Sequence, residues 1–160
     1  MQWDLKLKTP IGVFALQCDD YAIIAASYLP ARTTVLPPQN PLAKEAARQI
    51  RTYFREARGF VFELPLLSAP SEHQRRVRAA MQNIVAGETC TYGSIAKQIN
   101  SSARAVGGAC RANRIPLFVP CHRVVAANGL GGFMGEDGGH EHHIKTFLLR
   151  HEKANLPHRK

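Results

Sequence analysis

Cys121 and His122 are adjacent in NRIPLFVPCHRVVAANGLGGF, residues 113–133, between an apolar run bracketed by prolines and a glycine-rich loop. A thiol beside an imidazole can be a nucleophile, a metal ligand or an inert filler, and free cysteines are most often buried and unreactive. The company here points to reactivity. His122 and Arg123 can lower the thiol pKa, and the NGLGG loop leaves room for a substrate. Adjacent side chains in a regular element diverge, so His122 can deprotonate Cys121 only through irregular backbone or a bridging water.

A third group comes from the last helix. On a helical wheel Ile144, Phe147 and Leu148 set the apolar face, and Glu152 falls inside the same stripe. A buried carboxylate needs a donor. His122 is one candidate, giving a Cys121–His122–Glu152 relay of nucleophile, base and orienting acid; a core arginine such as Arg123 is the other. Metal and cofactor chemistry find little support. HEHH at 140–143 puts His140 and His143 at i and i+3, but residue 144 is Ile, so HExxH fails and a solvated helix start is the plainer reading. The glycine run 129–139 does not match a dinucleotide fingerprint. No metal and no cofactor are expected.

The chain that must position these groups has 160 residues, 45% of them apolar, enough for one compact unit or two small domains. Four scattered cysteines without a CxxC pair, and no hydrophobic leader, predict reduced thiols in the cytoplasm. No apolar run approaches the ~20 residues of a membrane span. Lys and Arg outnumber Asp and Glu by 21 to 12, a formal charge of +9, which suits a polyanionic partner or simply solubility.

Alternation at Trp3, Leu5 and Leu7, then VFALQC and AIIAASYL, predicts an antiparallel meander. Asn40 and Pro41 open a helix with Leu42, Ala46, Ile50, Phe54 and Ala57 on one face, stopped by Gly59. FVFEL reads as a further strand and PLLSAP as a linker, with a boundary near Ser68. Beyond it, Ser71-x-x-Gln74 caps a helix carrying Val77, Ala80, Met81, Ile84 and Val85 inward and Arg75, Arg76 and Arg78 outward, up to Gly87. TYGSIAKQI and SSARAVGGACRAN follow as two short helices around a tight polar break, a helix-turn-helix pattern. In the second, Val106, Ala109 and Cys110 face inward, leaving Arg104, Gly107, Gly108 and Arg111 on the other side. Small residues flanked by arginines suit close approach to a narrow DNA groove, or else helix–helix packing.

In order, TYGSIA, ARAVGGACRAN, PCHRVV, GGF and LLRHE, spanning about residues 71–152, resemble the O6-alkylguanine-DNA alkyltransferases, also called methylated-DNA–protein-cysteine methyltransferases. The resemblance implies an α/β (α+β) fold: a small ribonuclease H-like amino-terminal domain (1–68) and a mostly helical DNA-binding and catalytic domain (69–160) with a winged helix-turn-helix-like motif. It implies DNA repair by irreversible, stoichiometric transfer of an alkyl group from O6-alkylguanine, and from O4-alkylthymine, to Cys121. His122 would act through water with Glu152 behind it, Asn113 would be the hinge, and Tyr92 would assist base flipping and leaving-group protonation. DNA would be held by Arg104, the finger replacing the extruded base, with Ala105, Gly107, Gly108, Arg111, Arg123 and Tyr92. Pro116, Phe133 and Met134 would line the substrate pocket. The partner would be double-stranded DNA containing O6-alkylguanine, met by a monomer. The chain departs from the family at His73, Arg78 and Phe133-Met134, and in a longer loop from Gly135 to His143, which bears on the range of alkyl groups.

Overall fold

The structure is a computed structural model, and it describes residues 2–131 and 139–154. Its first part is the expected meander: β1 (Leu5–Thr9), β2 (Gly12–Cys18) and β3 (Ile23–Leu29) pair antiparallel in the order β1-β2-β3. Gly12 closes the first turn at φ +108, where a Cβ would stand 2.7 Å from the Leu29 carbonyl oxygen, so only glycine fits. Val13 to Leu16 are all buried, so the middle strand is covered on both faces.

Helix α1 (Pro41–Arg55) packs on this sheet, with the Asn40 side chain accepting from the Ala43 N–H at 2.8 Å and Pro41 at its first position. Its buried face is Ala43, Ala46, Ala47, Ile50 and Tyr53, rotated from the predicted stripe, and Leu42 and Phe54 lie only half-buried. The helix ends at Arg55, before Gly59, which instead takes a left-handed turn at φ +74.

FVFEL, expected as a strand, is not one. Residues 60–64 run without a strand partner, and the chain touches the sheet only afterwards, through the Ile23↔Leu66 bridge. The reason is a substitute for the ladder: the buried Gln49 amide accepts from the Glu63 N–H at 2.9 Å and donates to its carbonyl at 3.1 Å. Phe60 and Phe62 meanwhile turn onto the Tyr53 ring, at 6.1 and 5.4 Å between centroids.

Helix α2 (Glu72–Gln82) starts at the predicted Ser71 cap and buries Val77, Ala80 and Met81. It stops before Ile84, so Val85, assigned above to the inner face, is 50% exposed. A two-residue strand β4 (Cys90–Thr91) leads into α3 (Tyr92–Ile99) and then α4 (Ala103–Arg111). Thr91 and Ser102 cap these helices, and Asn100, at φ 57 and ψ 53, makes the sharp break between them. After a 3-10 turn (Cys121–Arg123), β5 (Val124–Val125) pairs parallel with β4, and α5 (Gly139–His151) completes the described elements. One apolar cluster runs from Leu5 of the sheet through Tyr53, Ile95 and Val106 to Leu148 of α5. Among the described residues no helix is long and apolar enough to cross a membrane.

Candidate active site

Cys121 is presented by a bent segment held from within. The Asn113 amide donates to the Val119 carbonyl at 3.0 Å and accepts from the Ile115 N–H at 3.1 Å, while its backbone N–H donates to Cys110 of α4 at 3.2 Å. One side chain thus joins the end of α4 to the cysteine segment. Leu117, buried between those anchors, has φ 74, a left-handed conformation that costs a branched residue roughly 1–2 kcal/mol and persists because the turn is fixed on both sides. The following 3-10 turn supplies the irregular backbone that two adjacent residues need in order to serve one site.

His122, Arg123 and Glu152 form a buried network. His122 Nε2 lies 2.8 Å from Glu152 Oε2. Arg123 donates through Nε to Oε1 at 2.9 Å and through Nη2 to Oε2 at 3.0 Å, and its Nη1 donates to the Ile84 carbonyl at 2.8 Å. Tyr53 of α1 adds a fourth bond, its hydroxyl donating to Oε2 at 2.5 Å. Both donors considered for Glu152 are therefore used together. Arg123, expected on DNA, is only 7% exposed and committed to Glu152 and a carbonyl; a guanidinium so engaged is not available to a phosphate.

Burial would raise the Glu152 carboxyl, but the opposing pull of His122 and Arg123 is larger and holds it well below the usual carboxylate range. An ionised Glu152 only accepts, so the imidazole must carry its proton on Nε2. Nδ1 is then a lone pair, and among the described residues it is buried without a partner. Burial also pushes the His122 pKa down, despite Glu152. The result is a neutral imidazole with a free acceptor, one residue from a thiol.

Cys121 is 5% exposed, and burial pushes its thiol up rather than down. The lowered pKa expected from its neighbours is not found, because Arg123 faces Glu152 and desolvation outweighs the rest. Asn113, Lys145 and the backbone N–H groups of Cys121 and His122 pull the other way, stabilising the thiolate once it forms.

Lys145 was missed. It is fully buried on α5, its Nζ donates to the Val124 carbonyl at 2.7 Å and sits 5.9 Å from the centre of the Tyr92 ring. Burial lowers its pKa to about 8, against attraction from Cys121 and Cys110. The signal was available: positions 145, 148, 149 and 152 share one helical stripe, so the wheel that singles out Glu152 also places Lys145 inside.

The β4–β5 pairing, Thr91 opposite Val125, brings the start of α3 beside the cysteine segment and sets Tyr92 at the helix's first residue. Ile95 and Ile99 of α3 are buried, whereas Tyr92 is half-buried. Gly131 covers it at φ +71, where a Cβ would lie 2.9 Å from Tyr92 Cε2 and 3.3 Å from its hydroxyl. On α4, Arg104, Ala105 and Arg111 are exposed while Val106 and Cys110 are buried. A Cβ on Gly107 or Gly108 would meet nothing within 4 Å, so these glycines do not serve helix packing. Arg75, Arg76 and Arg78 donate to the carbonyls of Ala69 (3.1 Å), Ile99 (2.6 Å) and Leu67 (2.5 Å), closing loops around α2. Pro116 is buried in the turn before Cys121; Phe133 and Met134 lie outside the described residues. His140 and His143 are exposed on the first turn of α5, and among the described residues no group of three His, Cys, Asp or Glu side chains could hold a metal ion.

Residues 72–154 match the family model described as 6-O-methylguanine DNA methyltransferase, DNA binding domain. The chain is 36% identical to the methylated-DNA–protein-cysteine methyltransferase of Methanosarcina acetivorans, covering 91% of this chain and 94% of that one. It is 40% identical to the protein so named from Mycolicibacterium paratuberculosis, over 93% and 91%. Among solved structures it is similar to Mycobacterium tuberculosis OGT crystallised in complex with DNA, at TM-score 0.75 and 34% identity over 92% of this chain and 91% of that chain. The O6-methylguanine DNA methyltransferase of Methanococcus jannaschii superposes at TM-score 0.66 and 28% identity, over 97% and 96%.

Proposed function

The chain belongs to the 6-O-methylguanine DNA methyltransferase family, and from that premise we propose that Cys121 is its alkyl acceptor, with His122, Glu152, Asn113, Lys145 and Tyr92 as the working parts. The protein repairs DNA by moving the alkyl group of O6-alkylguanine onto its own cysteine, and O4-alkylthymine belongs to the same substrate class.

The observation that supports the site assignment is the 2.8 Å contact of His122 Nε2 with Glu152 Oε2. An ionised Glu152 calls for the proton on Nε2, leaving Nδ1 as a buried acceptor on the residue that follows Cys121. The Cys121 proton passes to Nδ1, directly or through one water, and the thiolate is stabilised by Lys145 and Asn113. The sulfur attacks the alkyl carbon in line with the C–O6 bond; a C–S bond forms, the C–O bond breaks, and the guanine takes a proton to leave neutral. The Tyr92 phenol is the proposed donor. The base reaches this buried thiol only if its nucleotide leaves the duplex, costing a few kcal/mol that protein–DNA contacts offset.

Those contacts fall to α4. Arg104, Ala105, Gly107, Gly108 and Arg111 present a low surface with positive ends, suited to the minor groove, with Arg104 filling the space of the extruded base. In this reading α3 and α4 are a winged helix-turn-helix-like motif, residues 1–68 a ribonuclease H-like domain and 69–160 the DNA-binding and catalytic domain. Pro116, Phe133 and Met134 shape the pocket. In this reading the protein acts as a monomer on duplex DNA, and a reactive thiol suits the reducing cytoplasm. Incubation with O6-benzylguanine as the free base should add one benzyl group to the peptide containing Cys121 and none to Cys121→Ser, read by peptide mass. Label on another cysteine, or label on the serine variant, would overturn the assignment.

A further inference from the structure

Resting on the reading of Cys121 as the alkyl acceptor, we propose that Tyr53 is a positioning residue of the transfer reaction, its hydroxyl fixing the Glu152 carboxylate that orients His122. Tyr53 stands on α1, 99 positions before Glu152, and is fully buried. Its ring packs against Phe54, Phe62 and His151 at 5.0, 5.4 and 5.3 Å, contacts that a phenylalanine would make equally well. The hydroxyl is the difference. It ends 2.5 Å from Glu152 Oε2, an oxygen that also takes His122 Nε2 at 2.8 Å and Arg123 Nη2 at 3.0 Å. The His151 ring nitrogen Nε2, 2.8 Å from the Tyr53 carbonyl oxygen, ties α1 to the end of α5, so the phenol is held from both sides.

Three donors on one oxygen share its electron density. Each reduces what Glu152 offers the imidazole, and so restrains the proton affinity of His122. Among the described residues, the charged groups acting on this histidine are Arg123 on its own turn and Lys145 and Glu152 from the α5 segment, with Tyr53 from α1 behind the carboxylate; Tyr28 of β3 lies in the field of Cys121, Glu152 and Glu141. Arg123 and Lys145 oppose an imidazolium, Glu152 favours it, and the Tyr53 hydroxyl weakens that favour. Burial and the neighbouring carboxylate push the phenol far above its ordinary pKa, so it only donates. Without it, His122 gains a proton at higher pH, and an imidazolium cannot accept the Cys121 proton.

The test is the pH–rate profile of benzyl transfer from free O6-benzylguanine. In Tyr53→Phe the acid limb should move up by roughly one pH unit, with the plateau rate within a few-fold of wild type. Phe60→Leu disturbs packing on the same ring but keeps the hydroxyl; it should lower the unfolding midpoint and leave the limb in place. An unmoved limb in Tyr53→Phe, or equal shifts in both variants, overturns the proposal. Should Tyr53→Phe not fold, 3-fluorotyrosine at position 53 decides: it keeps the ring and donates more strongly, so the acid limb should move down, and an unmoved limb would refute the role. Absence of any transfer by wild type would instead refute the reading of Cys121 beneath it.

Discussion

Lys145 is a cation with no solvent exposure, and its cost and use can be separated experimentally. Its folded pKa is about 8, against 10.5 for the unfolded side chain. Below pH 8 it is charged in both states and burial penalises the folded one. Between about 8 and 10.5 the unfolded chain binds the extra proton, so this contribution to stability improves as pH rises. Lys145→Met should therefore be more stable than wild type at pH 7, by an amount on the order of 1–3 kcal/mol, and the advantage should shrink by pH 10. Transfer to Cys121 should nevertheless slow at least ten-fold, because the thiolate loses a cation that stabilises it. Urea unfolding at the two pH values and single-turnover rates check both halves; a variant that is less stable at pH 7 would make Lys145 a structural tie through Val124. Among single residues, Cys121, His122 and Glu152 were readable because their types are out of place where they stand, whereas Asn113 came only from the family resemblance. Tyr53 was not, because a tyrosine among phenylalanines looks like core until its hydroxyl is located.

At the scale of elements, α4 is built against its own stability. Two adjacent glycines in a helix interior each cost about 0.5–1 kcal/mol relative to alanine, and no neighbour requires them, since added Cβ atoms would meet open space. Gly107→Ala and Gly108→Ala should each stabilise the folded protein by that amount. The same substitutions should weaken binding to duplex DNA, as the helix can no longer approach as closely. Opposite signs in thermal denaturation and in a binding titration are the expected result; unchanged DNA affinity would remove α4's glycine face from the interface. The caps of α1 and α2 were legible, as was the polar break ending at Ser102, since Asn40, Ser71 and Ser102 act through bonds three residues away; Thr91, which caps α3 in the same way, was not singled out. FVFEL was not: its alternation is right for a strand, but its backbone partner is the Gln49 amide, fourteen positions earlier and on a helix. Pattern reports which side chains are buried, not what satisfies the main chain.

Over the whole molecule, the chemistry and the core are one object. The network behind Cys121 draws Tyr53 from α1, His122 and Arg123 from the 3-10 turn and Glu152 from the end of α5, and the apolar cluster is continuous from the sheet to α5. A group added to Cys121 therefore sits in close-packed surroundings, where overpacking costs typically 1–3 kcal/mol. A thioether is inert to the groups present: His122 accepts protons, Lys145 is bound to a carbonyl, and the neighbouring Cys110 thiol is itself pushed up to about 12 by burial and by Cys121. Mixing the protein with excess O6-methylguanine duplex should thus consume one lesion per chain, with intact mass rising by one methylene and repair ending with the unmodified protein. The methylated chain should then unfold at lower temperature in a single transition, because α1 and α5 meet at the same residue network. Repair beyond one equivalent would require a route that cleaves the thioether and would refute stoichiometric transfer. An unchanged melting temperature after complete methylation would show that the space around Cys121 absorbs the added carbon.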